Sequence, residues 1–337
     1  MISLDQPRPP GSAALLVRVG GDHGAPAEAC LAGTGITAEQ LGDPEHAVPA
    51  GVELRIIRNL RAALPHHESL GLEAGRQYHL TTHGTWGFAL ASCRDGWEAL
   101  EVGLAFIGLT WAFCDVRAEV GDGFGRLVFD DRAIPADVRE FLVQRELASV
   151  VTIAREVSGR FTDPAPTHLR QPPPASVAPF TDFLGAPPVF GADSNHVEIP
   201  AALLDAPLPQ ADAHTAALTR AQCQDLLDRR RARTGLAGKV RGLLGATPGH
   251  VPGIEEVAEH LHLSSRTLRR KLADEGHTFR GLVDEVRRTL AEDLLTAGDL
   301  SVEQIAHRLG YNATPAFTAA FTRWTTMSPR AYRRAKG

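Results

Sequence analysis

The chain has 337 residues, 43% hydrophobic and 22% charged, a size and balance that suit two domains with real cores rather than one. Its longest apolar run, Val102 to Phe113, is 12 residues, short of the roughly 20 that span a bilayer, and the opening MISLDQPRPP lacks the features of a secretory signal, so the expected location is the cytoplasm, with no membrane partner. The net charge of −5 hides an asymmetry: residues 238–337 carry 15 Lys/Arg against 11 Asp/Glu, a net +4, and the remainder carries −9, an acidic body with a basic tail of the kind that meets nucleic acid.

Along the body, Ala50 to Leu64 places Val52, Leu54, Ile56, Ile57, Leu60 and Leu64 largely on one helical face. His79 and His83 stand four apart, a metal-ligand spacing if helical, but Thr81, Thr82 and Gly84 disfavour a helix there, and no metal or other cofactor is expected. Val116–Val120 and Arg126–Phe129 flank Gly-Asp-Gly, a hairpin signal. Asp137 to Ser158 reads as a second helix. Thr162 to Pro188 is crowded with proline and reads as a connector rather than a helix or central strand. Helical composition returns between Ala213 and Arg233, with an ill-defined seam of Ala217, Ala221 and Leu226 or Leu227, before a break at Gly235 to Gly238. The expected division is therefore a mixed α+β domain, 1–233, and an all-α domain, 234–337. The four cysteines, Cys30, Cys93, Cys114 and Cys223, are scattered and read as reduced thiols. Neither a G-x-S-x-G elbow, a G-x-x-x-x-G-K-[ST] phosphate loop nor an H-E-x-x-H zinc helix is present, so no catalytic residue is assigned and the chain is not expected to be an enzyme.

The tail is more specific. Ile254 to Leu261 is a short amphipathic helix, and three residues later Ser264 caps a second, Arg266 to Leu272. With Val257, Ala258, Leu261, Leu268 and Leu272 inward, Arg266, Arg269 and Arg270 face outward, as a helix reading a DNA major groove requires. The pattern returns about 48 residues on: Ile305, Ala306 and Leu309 answer Val257, Ala258 and Leu261, and Phe317 and Phe321 answer Leu268 and Leu272. Ser301 with Gln304 forms a capping box, Thr314-Pro315 and Ser328-Pro329 open further helices, and Gly276, Gly298 and Gly310 end others. Between the units, Phe279, Leu282, Val283, Val286, Leu290 and Leu294 form the stripe of one helix of 19 residues. At ~1.5 Å per residue it spans roughly 28 Å, close to the ~34 Å between successive major-groove faces.

At these residues the chain resembles the AraC/XylS family of bacterial transcription regulators, through VAEHLHLSSRTLRRKLADEGHTFRGLVDEVR and IAHRLGYNATPAFTAAFTRWTTMSPRAYRR. The body is similar to the arabinose-binding-type N-terminal domain of some members, through GLEAGRQYHLTTHGTWGFAL, AIPADVREFLVQREL and FGADSNHVEIPAALLDAPLPQAD. The resemblance implies a double helix-turn-helix domain on promoter DNA, a body that senses a small-molecule effector, a homodimer, and contact with RNA polymerase if the protein activates. It places DNA contacts at Arg266, Thr267, Arg269 and Arg270 in the first unit and at Thr314, Thr318 and Arg323 in the second. Family members often carry a small polar or acidic residue at Ala313, a polar one at Pro315, arginine at Ala319 and glycine at Thr326, so the second helix is expected to anchor phosphates more than to read bases. Trp86, Phe88, Trp97, Trp111 and Phe113, with His83 or Arg117 as polar anchors, are candidate effector-pocket residues. Two alternatives stand beside the regulator: an enzyme domain fused to a DNA-binding tail, raised by clustered titratable residues in a body cleft, and a ligand-free architectural protein, favoured if the body encloses no cavity.

Overall fold

The computed structural model describes all residues except 1–3, 5, 45, 122, 160–165, 234, 246–250, 298–299, 312 and 337. The chain packs as two units, Met1–Leu227 and Asp228–Gly337. That division falls within the helix Ala213–Arg233, whereas the expected boundary at 234 lies outside the described residues.

The first unit is α+β. A five-stranded sheet is built on the hairpin of Asp115–Gly121 and Phe124–Asp130, in register from Asp115 opposite Asp130 to Gly121 opposite Phe124. Asp122 of the expected turn lies outside the described residues; Gly123 takes φ +86°, open to glycine at no steric cost. Asn195–Pro200 pairs with the second hairpin strand, Thr167–Leu169 follows it, and Val189–Phe190 closes the far edge in parallel. The proline-rich segment is thus not the connector expected: Thr167–Leu169 is an interior strand and Ala178–Leu184 a helix, because the prolines bracket these stretches and Pro179 sits in the helix's first turn. Residues 162–165 of that segment lie outside the described residues.

Against the sheet lies the helix Arg139–Ser158, close to its expected start, with every residue from Phe141 to Ala148 buried. The helix Leu70–Gly75 crosses it at very short range, since a Cβ on Gly71 or Gly75 would come within 2.3 Å of the carbonyl oxygens of Phe141 and Arg145. The helix Ala50–Ala63 forms as expected, burying Leu54, Ile56, Ile57 and Leu60. The helix Ala213–Arg233 buries Ala216, Thr219, Cys223 and Leu227; of the expected seam Leu227 is buried, while Ala217, Ala221 and Leu226 are exposed. All four cysteines are free and buried.

Charge sits in the middle of this core. Glu53 is 2% exposed and receives Nη1 of Arg145 at 2.6 Å, Nη1 of Arg8 at 3.3 Å and the hydroxyl of Ser12 at 2.7 Å. Arg8 also donates to the carbonyls of Trp111 and Ala112, both at 3.1 Å, and Arg145 to that of Trp111 at 2.8 Å. Glu146, beside Arg145, accepts the backbone N–H groups of Phe113 at 2.7 Å and Cys114 at 3.0 Å. Two cations and two carboxylates therefore neutralise one another while tying together the N-terminal strand Pro7–Arg8, two helices and the segment entering the sheet.

The second unit is all helical. Gly235–Gly245 is a helix rather than the expected break: Ala237, Val240 and Leu244 are buried, and Glu275 caps its start by accepting the N–H groups of Leu236 and Ala237. The burial of that stripe outweighs the ~1 kcal/mol helix cost of each glycine. Ile254–His260 and Ser265–Asp274 form one helix-turn-helix, Val302–Arg308 and Thr314–Thr325 the other, and Pro329–Lys336 closes the unit. The 19-residue helix Phe279–Ala297 serves both cores, packing Leu282 with Val257 and Leu268, and Ala291 and Leu295 with Ile305 and Phe317. Gly298, expected to end it, lies outside the described residues.

Replacing Glu53 with Gln leaves two buried guanidiniums without their shared carboxylate, and the first unit should lose about 3–5 kcal/mol of stability. Urea titration of the full chain measures this, and an unchanged midpoint for that unit would refute the central role given to Glu53.

Candidate DNA interface and effector cavity

The turn of each helix-turn-helix is built at the same relative position. Leu263 N–H donates to Ala258 O at 2.8 Å across His262, and Tyr311 N–H donates to Ala306 O at 3.0 Å across Gly310. His262 and Gly310 have φ of +54° and +77°, so the 48-residue repeat extends to the left-handed residue that stops the first helix.

On Ser265–Asp274, Ser264 caps the start by accepting Thr267 N–H at 3.1 Å. Leu268 and Leu272 are fully buried, and Arg266, Arg269 and Arg270 are exposed on the other side. Arg269 lies 3.9 Å from Glu255, both groups being more than half exposed. Thr267 is half-buried and its hydroxyl bonds that of Ser264, so it supports the cap. Thr314–Thr325 differs. Phe317, Ala320 and Phe321 are buried, and its exposed positions are Pro315, Ala316, Ala319, Thr322 and Arg323. Thr314 and Thr318 are half-buried, and Arg323 lies 3.6 Å from Asp284 on the long helix. Thr314 does not cap: Ala313, extended, occupies the N-cap without a side-chain bond, which makes Thr314 the first helical residue. The two expected caps at Ser301 and Ser328 are present.

In the first unit, the sheet, the helix Arg139–Ser158 and the helix Gly96–Ala105 line a half-open cavity of about 170 Å³. Val116, Leu127, Phe129 and Ile199 line it from the sheet, Val150, Ile153 and Val157 from one helix, Ala99, Leu100 and Gly103 from the other. Its polar lining gathers Tyr78, His83, Arg145 and Glu146: the His83 ring centroid is 6.2 Å from Tyr78, 4.9 Å from Trp86 and 5.3 Å from Trp111, and the Arg145 guanidinium carbon is 5.6 Å from the Tyr78 ring. Burial, helped by the positive charge of Arg145, pushes the His83 pKa down to about 4. Both its ring nitrogens are buried without a hydrogen-bond partner among the described residues.

Of the residues expected at the pocket, the structure brings together His83, Trp86 and Trp111. Phe88 points off the opposite face of the helix Thr85–Ala91 and is 63% exposed. Phe113 packs in the core with Arg8 4.1 Å from its ring centroid, Arg117 is exposed on the sheet against Glu119, and Trp97 donates to Asp205 at 2.8 Å. None of these four lines the cavity. The missed lining groups are Tyr78, Arg145 and Glu146; the last two belong to a Gln-Arg-Glu run inside the helix Arg139–Ser158, and Tyr78 carried no signal of its own. His79 precedes the 3₁₀ turn Leu80–His83 and bonds Glu156, so it does not share a face with His83. Among the described residues, no group of three or more His, Cys, Asp or Glu is placed to hold a metal ion, and no helix is long and apolar enough to cross a membrane.

Paired helix-turn-helix units on a common helix, in one chain with an α+β domain that carries a ligand-sized cavity, define a DNA-binding regulator with a ligand-binding domain. Comparison with known proteins agrees. Residues 24–208 match the arabinose-binding N-terminal domain of AraC transcription regulators, and residues 257–335 match a helix-turn-helix domain family. An HTH-type transcriptional regulator of Mycobacterium tuberculosis is 35% identical over 95% of this chain and 94% of its own length. The ornithine utilization regulator of Pseudomonas aeruginosa is 29% identical over 81% of this chain and 80% of its own. The crystal structure of the regulator CdpR from that organism aligns with 81% of this chain and 91% of its own at 26% identity, with a TM-score of 0.41. The chain belongs to the AraC family of transcription regulators.

One helix end carries a measurable strain. Thr326 ends the helix Thr314–Thr325 at φ +62°, a conformation that costs a residue with a Cβ about 1–2 kcal/mol. Thr326→Gly should raise the melting temperature of the second unit; a fall would show that the threonine bonds outweigh the backbone strain.

Proposed function

We propose that this regulator reads its operator chiefly through Arg266, Arg269 and Arg270, that Thr314–Thr325 anchors a second groove segment, and that the cavity of the first unit holds the effector. The observation that carries the DNA reading is the exposed triple-arginine face on a capped helix, opposite a fully buried leucine pair. Arginine makes a bidentate fork to guanine O6 and N7. Alanine, threonine and proline on the second helix offer apolar contact and single hydrogen bonds, and Arg323 with the amides at the helix start suits phosphate. Thr267, Thr314 and Thr318 remain in this reading as flanking contacts. Leu218 and Leu226, 52% and 42% exposed on Ala213–Arg233, support a homodimer; RNA polymerase is a further partner if the protein activates, and the cytoplasm is its place of action.

The enzyme reading has one observation in its favour, the titratable groups gathered on the cavity. Three of the four are committed to structure: Tyr78 bonds Ser12 at 2.6 Å, Arg145 bonds Glu53, and Glu146 holds two backbone N–H groups. A sensing site fits them better than an acid–base pair. The cavity also weighs against a ligand-free architectural role.

In gel-shift titration, Arg269→Ala should weaken specific binding by about 1–3 kcal/mol and relax base preference under the first helix; unchanged affinity and preference would refute the assignment. Ala319→Arg should raise affinity and steepen its salt dependence if that face meets DNA. No change in either quantity would mean the second helix does not dock as proposed.

A further inference from the structure

Which molecule the cavity takes follows from what its walls leave unsatisfied, and this inference rests on the reading of the cavity as the effector site. Size comes first. At about 170 Å³ the space is close to an apolar cavity of ~150 Å³ that takes benzene, so the part of an occupant held between the walls comes to about six to ten non-hydrogen atoms. The aliphatic walls, among them Leu100, Val150 and Ile153, reward an apolar body.

Charge narrows the choice. The guanidinium on the cavity belongs to Arg145, which is 2% exposed and already bonded to Glu53, the Trp111 carbonyl and Glu146. With Arg8 it balances the two carboxylates, leaving no surplus of either sign. A carboxylate entering here would be a buried charge without a counterion of its own, and so would an ammonium. Trp86 and Trp111 have spent their indole N–H groups on Gly103 O at 3.3 Å and Pro9 O at 3.0 Å, and Thr110 its hydroxyl on Ile107 O at 2.8 Å. His83 is different. It is the lining residue whose buried polar atoms have no partner among the described residues, and it sits between the Trp86 and Trp111 rings. As a neutral imidazole it offers one donor and one acceptor. An alcohol or phenol hydroxyl complements either nitrogen and a carbonyl complements the donor.

We propose that the cavity binds a small, uncharged, largely apolar molecule of about the size of a substituted benzene, carrying one hydroxyl or carbonyl group that hydrogen-bonds the His83 ring. Discrimination lies in that single bond and in the exclusion of net charge, and affinity comes from the apolar walls.

Three probes of similar size test this on the full chain, by isothermal titration calorimetry and quenching of tryptophan fluorescence: 4-methylphenol, 4-methylbenzoate and p-xylene. The phenol should bind about 3–10-fold more tightly than p-xylene, the worth of one hydrogen bond, and at least about tenfold more tightly than the benzoate. In His83→Leu the preference should be lost or reversed, xylene binding at least as tightly as the phenol, whose hydroxyl is then buried without a partner. The wild-type ranking decides the matter if that variant fails to fold. Tighter binding of the benzoate, or equal binding of all three to the wild type, overturns the inference and leaves the cavity as a ligand site. Binding of none of them overturns the cavity reading as well.

Discussion

The first unit depends on an even count of buried charges. Glu53 is the hub: one carboxylate holds two guanidiniums and a hydroxyl, Arg8 and Ser12 coming from the N-terminal strand and the helix Gly11–Asp22 that follows it, and Arg145 from the helix Arg139–Ser158 far along the chain. A lone charge at this depth would be expelled or neutralised. With Glu146 as the second anion, the four groups form a neutral cluster whose leftover bonding capacity goes to backbone groups at Trp111 through Cys114. That pins the segment feeding the sheet. Because Arg145 and Glu146 sit one turn before Val150 and Ile153 on the same helix, the cluster also sets the position of one cavity wall. The cost of such a cluster is offset only by near-complete pairing, which is why its polar atoms are nearly all accounted for and why His83, a lining residue whose ring nitrogens lack a partner among the described residues, stands out.

The second unit solves a different problem, the holding of two pairs of short helices on one frame. Seven- and ten-residue helices are marginal alone, and each pair buries too little to hold itself. The long helix Phe279–Ala297 supplies the missing core for both, so the spacing of the recognition helices is set by the rise along one rigid element rather than by a linker. Asymmetry enters through side chains on this shared frame. The first helix spends its exposed face on arginines; the second begins uncapped, ends on a strained threonine and exposes small residues.

What could be read from the residues in order was whatever is local. The helix stripe from Phe279 to Leu294, the hairpin around Gly123, the capping box at Ser301 and the 48-residue echo all depend on neighbours within a turn or two, and each appears where its spacing places it. The family followed from those same local patterns. Local signals also misled where tertiary burial outweighed them. Gly235–Gly245 is a helix despite its glycines because Val240 and Leu244 enter a core, and Thr167–Leu169 is a strand because Asn195–Pro200 lies beside it.

The cavity belonged to the tertiary structure alone. His83, Trp86 and Trp111 were legible as candidates by composition, but Phe88, Phe113 and Arg117 are equally aromatic or charged and face elsewhere; which of them meets a void depends on how two helices lie on a sheet. Arg145 and Glu146 gave no periodic signal because the stretch Phe141–Ala148 of their helix is buried on every side, and a helical stretch without a solvent face has no amphipathic pattern to read. Sequence alone determined that this is an AraC-type regulator and which helix carries the arginines, since those features repeat within short windows. Only the fold decided that Arg8, Glu53, Arg145 and Glu146 would neutralise one another, because that balance is struck between residues up to 138 positions apart.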